Sequence, residues 1–158
     1  MDTVIDIRPD DLTGSETLAL IGAHLAGMSE LSPPESVHAL DVRGLQDPAV
    51  SFWSAWVDGT LAGIGALKTI DAARGEIKSM RVDDAFLGRG IGRAILRHIV
   101  REARSRGMWS LWLETGSTDE FLPARRLYAS EGFVECGPFP PYVLDPYSVF
   151  MTREIDAA

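Results

Sequence analysis

The sequence predicts an α/β fold, a sandwich of helices built on a mixed β-sheet. Strand-like and helix-like segments alternate along the 158 residues, and three β-rich runs follow one another in the middle of the chain. An antiparallel meander set among alternating strands and helices is typical of layered α/β domains. The length suits one core, so we expect a single domain over residues 1–158.

The N-terminal third predicts one strand and two helices. Residues 4–7 alternate as a short strand that we expect to stop at Pro9. A helix follows, because apolar residues recur at spacings of three and four along one stripe. That stripe consists of Leu18, Ile21, Leu25 and Met28. A capping box at residues 32–35 predicts a second, shorter helix through Val37 and Leu40.

The middle of the chain predicts the meander. Residues 51–57 and 61–70 are β-rich and flank Asp58-Gly59, a pair that strongly favours a two-residue hairpin turn. A third β-rich run at residues 76–82 leads into a glycine-rich turn. Three antiparallel strands are therefore expected before that turn.

The C-terminal half predicts a long helix and three further elements. The helix covers residues 90–106, and Gly107 is placed to end it. Its inward positions are Ile91, Ile95, Ile99 and Ala103. The remaining elements are a buried strand at residues 109–115, a helix at residues 123–131 ended by Gly132, and a final strand at residues 148–155.

Three alternating glycines, Gly88, Gly90 and Gly92, form a turn suited to binding an anion. Glycine lets successive backbone N–H groups face one point, and the helix N-terminus adds partial positive charge. A ligand with phosphates is therefore expected. A dinucleotide fingerprint would need its third glycine or alanine at Arg93, and the Gly-Lys-Ser/Thr of a P-loop is absent from the sequence. On the glycines alone, a strand-to-helix turn without a ligand remains an alternative.

Composition narrows the class of partner and the location. A net charge of −8 argues against nucleic acid or an anionic membrane as partner, because both require a basic face. Arginines recur at helical spacing between residues 89 and 104, and we interpret them as a solvated face on which only Arg89 and Arg93 approach a phosphate. Neither a secretion signal nor a run of ~20 apolar residues is present, so a cytoplasmic location is expected.

Cysteine and histidine usage indicates neither redox nor metal chemistry. The one cysteine, Cys136, excludes an internal disulfide, and we interpret it as a small core residue. His24, His38 and His98 lack the mutual spacing of a metal-ligand set. No metal is expected, and each histidine is interpreted as a surface or packing residue.

Two segments together resemble the GNAT superfamily of N-acetyltransferases. Residues 87–92 are similar to its pyrophosphate loop, Gln/Arg-x-x-Gly-x-Gly/Ala, with Leu87 departing at the first position. Residues 121–133 are similar to its second signature, Asn-x-x-Ala-x-x-Leu-Tyr-x-x-x-Gly-Phe, with Phe121 in place of the asparagine. The matching residues are Ala124, Leu127, Tyr128, Gly132 and Phe133. The two motifs have the order and separation of that family.

The resemblance implies where acetyl-CoA binds. In this family the sheet is mainly antiparallel and its fourth and fifth strands splay apart, here residues 76–82 and 109–115. The pantetheine arm lies in that gap and pairs with the first of these strands. The residues implied in cofactor binding are Met80, Val82, Leu87, Gly88, Arg89, Gly90, Ile91, Gly92 and Arg93.

The resemblance also implies acetyl transfer to a primary amine by direct attack in a ternary complex. An alkyl ammonium has a pKa of about 10 and must lose a proton before it attacks, which requires a base. Glu114 and Glu76 are the candidate bases, and Glu114 is preferred because it matches the base of family branches with a Leu-Trp-Leu-Glu strand. The alternative for at least one of the two is a structural ion pair with Lys78 or Arg81. Tyr128 is expected to protonate the leaving thiolate, and a backbone N–H near Met80 to stabilise the oxyanion.

The acceptor amine and the oligomeric state are the features that the sequence specifies least. Residues 28–45 and the proline-rich, aromatic residues 137–147 are expected to wall the acceptor site. The acceptor is a small-molecule or an exposed peptide or protein amine, and a homodimer is a family expectation. Two other functions stay open: a non-catalytic acyl-CoA-binding or sensing module, and a nucleic-acid binder using the arginine stripe, which the net charge disfavours.

Overall fold

The computed structural model describes residues 4–155 as one mixed β-sheet covered by helices. The described strands are β1 (Asp6–Pro9), β2 (Val50–Val57), β3 (Thr60–Thr69), β4 (Arg74–Val82), β5 (Ser110–Gly116), β6 (Val134–Cys136) and β7 (Ser148–Glu154). The helices are α1 (Ser15–Leu31), α2 (Val42–Leu45), α3 (Ile91–Ser105) and α4 (Leu122–Ser130). Short 3₁₀ turns cover Pro34–Ser36, Asp84–Phe86 and Asp119–Phe121. No helix in this part of the chain is long and apolar enough to cross a membrane.

The strand order is β1-β2-β3-β4-β5-β7-β6, and β4 with β5 is the parallel pair. These two strands pair only from Arg74–Ser110 to Glu76–Trp112. Beyond Glu76 they diverge, so a gap opens in the sheet toward the end of β4. The expected fold class is therefore confirmed, including the splay between the fourth and fifth strands.

The hairpin between β2 and β3 forms at the expected dipeptide. Asp58 has φ 49° and Gly59 has φ 78°, and two consecutive left-handed residues are what a two-residue type I′ turn requires. Strands β1 to β4 pair antiparallel in succession, which confirms the meander.

Two apolar cores lie on opposite faces of the sheet. The larger core packs α3 against β3 and β4, and the expected inward positions of α3 are all buried. Gly107 has φ 80° at the end of α3, as expected. The second core lies between α1, α2 and the other face, around Ile21, Leu45 and Ile64. The acidic and basic side chains of β4 described below lie on the α1 face.

Several expectations for the N-terminal elements were wrong. The first strand continues through Pro9, because β1 is an edge strand, where proline is tolerated. Leu18 of the expected stripe is 37% exposed, whereas Ile21 is buried and Leu25 packs on the second core as expected. The inward face of α1 also carries Thr17, Leu20 and His24. The capping box at residues 32–35 starts no α-helix, because the Ser32 N–H completes the last turn of α1 on the Met28 carbonyl. The next helix begins after Asp41, whose carboxylate accepts from the Gly44 N–H.

The C-terminal part adds a strand that the sequence did not predict. Strand β6 has three residues and pairs with β7 at the edge of the sheet. Cys136 lies on this strand and is half-buried, so it is not the core residue expected. Trp109 is 68% exposed and precedes β5, so the strand is buried only from Ser110 onward.

Candidate active site

A cavity of about 100 Å³ lies where β4 and β5 separate. Residues 76–80 of β4 form one wall, and Glu114 and Thr115 of β5 face them. Helix α1 covers the cavity with His24 and Met28. Tyr128 of α4 closes its far side. The structure thus brings all three expected catalytic residues, Glu76, Glu114 and Tyr128, to one cavity.

Glu114 is a buried carboxyl whose proton affinity is raised. Burial raises the pKa of Glu114 from 4.5 to about 7, and the carboxylates of Glu76 and Asp145 act in the same direction. The Lys78 ammonium opposes them. A carboxyl with a pKa near neutrality is partly ionised at pH 7 and can both accept and release a proton there. These are the properties of a general base.

Glu76 is held in a buried ion pair. The Lys78 Nζ lies 3.1 Å from Glu76 Oε2, and both side chains are less than a tenth exposed. The Tyr142 hydroxyl donates to the same Glu76 oxygen and accepts from Lys78 Nζ at 2.8 Å. Three mutually bonded groups leave Glu76 little freedom to approach a substrate. This side chain therefore fits a structural role better than that of a base.

Tyr128 presents a neutral phenol to the cavity. The side chain is buried and its ring packs edge-on against Phe133, with ring centroids 6.0 Å apart. Burial, with a further contribution from Glu114, raises the pKa of Tyr128 well above its usual range. Its hydroxyl makes no hydrogen bond to another residue within residues 4–155. The phenol keeps its proton at neutral pH and has it free to donate.

Strand β4 carries a β-bulge at the cavity wall. Its register with β3 passes from Ala66–Lys78 to Ile64–Arg81, so Ser79 and Met80 together face Gly65. Ser79 has φ 55°, an uncommon value for a residue other than glycine. A bulge takes a residue out of the regular hydrogen-bond ladder. The bulge therefore leaves one residue of the Ser79–Met80 pair outside the regular pairing with β3, at the wall of the cavity.

The glycine-rich turn exposes backbone at the start of α3. Gly88 and Gly90 have φ 74° and 81°, and no protein atom lies within 4 Å of where a side chain would begin on either residue. Gly90 precedes the first turn of α3 and no side chain caps it. The first N–H groups of this helix have no intrahelical partner, so an anion can bind them. Gly92 faces Leu127 instead, at 3.2 Å from a built Cβ.

The other residues expected to bind the cofactor at this turn differ in how far contacts with the rest of the protein hold their side chains. Leu87 is 62% exposed, and Ile91 is buried in the core. The Arg89 guanidinium lies 5.0 Å above the Phe86 ring. Arg93 is held by α4, because its side chain pairs with Glu131 at 3.1 Å and donates to Ser130 at 2.9 Å.

Met80 and Val82 pack inward on the α3 side of β4. Phe121, which departs from the family signature, also lines the cavity. Its ring lies so close to Gly116 that a Cβ on that glycine would overlap it. Phe121 therefore requires a glycine at the end of β5.

Sequence reasoning missed the place of His24 and one bond to Glu76. His24 was expected to be a surface or packing residue, yet it lines the cavity, as does His38 of the expected acceptor wall. The pair of Glu76 with Lys78 matches the structural alternative for one of the two glutamates, whereas the bond from Tyr142 to Glu76 was not expected. Tyr142 does belong to the expected acceptor wall, and His38 packs on its ring with centroids 4.9 Å apart. Among residues 4–155, no three metal-ligating side chains are grouped as a metal site would require.

Sequence comparison identifies the family to which this fold and cavity belong. Residues 18–133 match the Acetyltransferase (GNAT) family. The chain belongs to this family, as its two motifs indicated, and is an acetyltransferase.

Named relatives and solved structures agree with this assignment. The chain is 50% identical to "Uncharacterized N-acetyltransferase YsnE" of Bacillus subtilis, covering 94% of this chain and 99% of that protein. It is 49% identical to "Uncharacterized N-acetyltransferase YedL" of Escherichia coli, covering 92% of each chain. A crystal structure of a putative acyl-CoA N-acyltransferase from Klebsiella pneumoniae matches with a TM-score of 0.78 and 28% identity, covering 96% of this chain and 97% of that one.

Proposed function

We propose that this protein transfers an acetyl group from acetyl-CoA to a primary amine, by direct attack in a ternary complex. The observation that carries the proposal is that Glu114 and Tyr128 face one cavity at the gap between β4 and β5. One of them is a carboxyl with a pKa of about 7, and the other is a phenol that keeps its proton. Amine acetylation needs one proton acceptor and one proton donor on either side of the reacting carbon.

The exposed backbone around Gly88 and Gly90 fits the pyrophosphate of CoA. Its N–H groups carry partial positive charge, and no other residue lies within 4 Å of a Cβ built at Gly88 or Gly90. The backbone edge of β4 that faces the gap, at Met80 and Val82, fits the pantetheine arm of CoA. When bound, acetyl-CoA supplies an acetyl group activated as a thioester.

Glu114 would accept the proton of the acceptor ammonium, directly or through a water molecule. Its burial keeps the carboxylate basic enough to compete for that proton near pH 7. The backbone N–H near Met80 would donate to the acyl oxygen as negative charge develops on it. As the C–S bond breaks, Tyr128 would donate its proton to the departing sulfur. The new C–N bond leaves a second proton on nitrogen, which would pass to Tyr128 through solvent, and Glu114 would release the first proton to solvent. Glu76 would hold Lys78 and Tyr142 in place and take no proton.

The test is a screen of primary amines with acetyl-CoA, following release of free thiol and confirming the N-acetyl product by mass spectrometry. The protein is expected to release CoA thiol only when an amine is present. Tight acetyl-CoA binding without turnover of any amine would instead indicate a non-catalytic acyl-CoA-binding module. We also propose that the protein acts in the cytoplasm and as a homodimer. Size-exclusion chromatography with light scattering tests whether it is a dimer.

A further inference from the structure

The polar groups around the cavity fall into two sets of opposite character. Glu114, on β5, offers a carboxylate that attracts an ammonium. On the opposite side, the Glu76 carboxylate of β4 is already bonded by Lys78 and Tyr142, and the other polar groups of β4 and α1 are hydrogen-bond donors. Lys78 uses two of its three N–H bonds on Glu76 and Tyr142, which leaves one available. A ligand that fits both sides carries a cationic group and an acceptor-only group.

Two buried polar atoms on the donor side lack a protein partner. Ser79 is 8% exposed and its Oγ makes no hydrogen bond within residues 4–155. His24 is 9% exposed and its Nδ1 is likewise without a partner there. Both residues line the cavity. Because a buried polar atom without a partner is costly, two on one wall indicate a ligand that satisfies them.

An arginine without an ion pair among the described residues lies against α1 near His24, next to the residues that line the cavity. Arg81 follows Ser79 by two residues on β4 and lies against α1, with Nη1 3.2 Å from a Cβ built at Gly27. Gly27 is one helical turn after His24, so the guanidinium is on the same side of α1. Arg81 is half-buried and forms no ion pair within residues 4–155. Burial lowers the pKa of His24, and the positive charge of Arg81 lowers it further, to about 4. The charge of Arg81 therefore acts on the imidazole.

We propose that Ser79, His24 and Arg81 form a carboxylate-binding subsite, and that the acceptor is a small free amino acid. This inference rests on the proposed function. A carboxylate accepts hydrogen bonds only, and therefore satisfies a serine hydroxyl, a neutral imidazole N–H and a guanidinium together. The ammonium of the same molecule would point to Glu114 across the cavity.

The size of the cavity suits a small acceptor group, and the donors around it favour a carboxylate over the amide of a peptide. A volume of about 100 Å³ holds roughly three water molecules, each occupying about 30 Å³. An ammonium and a carboxylate joined by one or two carbons are of this size. A peptide N-terminus would instead place an amide, which also carries an N–H donor, against three donors.

The experiment compares amino acids with their primary amides as acceptors. Glycine, alanine, serine and aspartate are each paired with the corresponding α-amide, and kcat/KM is expressed per concentration of unprotonated amine. The wild-type protein is expected to prefer the carboxylates by about 10- to 100-fold, the range of one charge-assisted hydrogen bond or slightly more. Arg81→Met and Ser79→Ala should reduce this preference toward one, because each should lower kcat/KM more for the carboxylates than for the amides.

Arg101→Met is the matched control, because Arg101 is an exposed arginine on α3, away from the cavity. It removes the same charge and should keep the preference. Equal use of acids and amides by the wild-type protein would overturn the subsite, as would a preference that survives in both variants. A loss of acetyl-CoA affinity in Arg81→Met, uniform across acceptors, would also overturn it by assigning Arg81 to the cofactor.

A binding measurement separates this inference from the proposed function. The N-acetyl derivatives of the four amino acids and of their amides are titrated calorimetrically into the protein saturated with CoA. Binding of an N-acetyl amino acid that Arg81→Met weakens at least tenfold supports the subsite even if no amine is turned over. If amines are acetylated but neither amino acids nor their N-acetyl derivatives are preferred over amides, the function stands and the subsite does not.

Discussion

The pKa of Glu114 allows the proposed base to be tested by stability as well as by rate. Glu114→Gln removes the ionisable group and keeps the shape of the side chain. The folded state holds the Glu114 proton more tightly than the unfolded chain, because the pKa rises from 4.5 to about 7. Such a group stabilises the fold fully below pH 4.5, and that contribution is lost as the pH rises through 7.

The size of this effect follows from the two pKa values. Between pH 5 and pH 8 the wild-type protein should lose about 2 kcal/mol of unfolding free energy through this one group. Glu114→Gln should lack that loss, so the variant gains about 2 kcal/mol on the wild type between the two pH values. Urea unfolding at pH 5 and pH 8 measures the difference directly, since all other titrating groups are common to both proteins.

The rate should follow the same ionisation. With both substrates saturating, kcat of the wild-type protein should rise about tenfold between pH 6 and pH 8, as a base with a pKa of about 7 loses its proton. Glu114→Gln should lower kcat at pH 7 by about 10²- to 10⁴-fold and recover partly at high pH, where more of the amine is free.

Glu76→Gln is the matched control. It breaks the buried pair with Lys78, so we expect lower stability and a deficit in rate that does not recover at high pH. The rise in kcat with pH should also move to lower pH, because the Glu76 charge no longer raises the pKa of Glu114. Alkaline recovery confined to Glu76→Gln would refute the assignment of the base. If neither variant recovers and the wild-type stability shows no extra loss above pH 5, the whole argument from the burial of Glu114 fails.

Three further predictions follow from the site. Tyr128→Phe should lower kcat by about 10- to 10⁴-fold with little change in acetyl-CoA affinity by calorimetry, and an equally active variant would remove Tyr128 as the acid. Gly90→Glu should abolish acetyl-CoA binding. Gly107→Glu is the matched control, because Gly107 has a similar left-handed φ of 80° and equally open surroundings, so it should lower stability by a similar amount and leave binding intact. Equal binding by both variants would move the cofactor site elsewhere. Tyr142→Phe should lower unfolding free energy by about 1 kcal/mol or more through the lost bonds to the buried ion pair, and unchanged urea unfolding would contradict that network.

Features encoded by a few adjacent residues could be predicted from the sequence. The hairpin follows from Asp58-Gly59 and the end of α3 from Gly107, because few other residues adopt left-handed backbone easily. The capping box at residues 32–35 led to the wrong prediction of a helix there, because Ser32 already ends α1. Strand β6 has three residues, too few for an alternating pattern, and its existence depends on β7.

The residues of the candidate site also fall into two groups, those that a local motif predicts and those that depend on packing between distant segments. Glu114, Tyr128 and the glycines were found because they lie within motifs that resemble a family. Lys78 and Tyr142 are 64 residues apart, and no local pattern indicates that the loop of one folds over the strand of the other. His24 and Ser79 depend on how α1 rests on the bulge of β4, which is a property of packing. The bulge itself leaves no sequence signal comparable to a glycine.

The most direct test of the account is a crystal structure of the protein with CoA and the N-acetylated acceptor bound. The account predicts the pyrophosphate on the backbone of residues 88–92 and the pantetheine arm in the gap along β4. It also predicts the sulfur within hydrogen-bond reach of the Tyr128 hydroxyl and the product nitrogen near Glu114. A CoA molecule bound outside the gap, or a product nitrogen directed at Glu76 and away from Glu114, would contradict it.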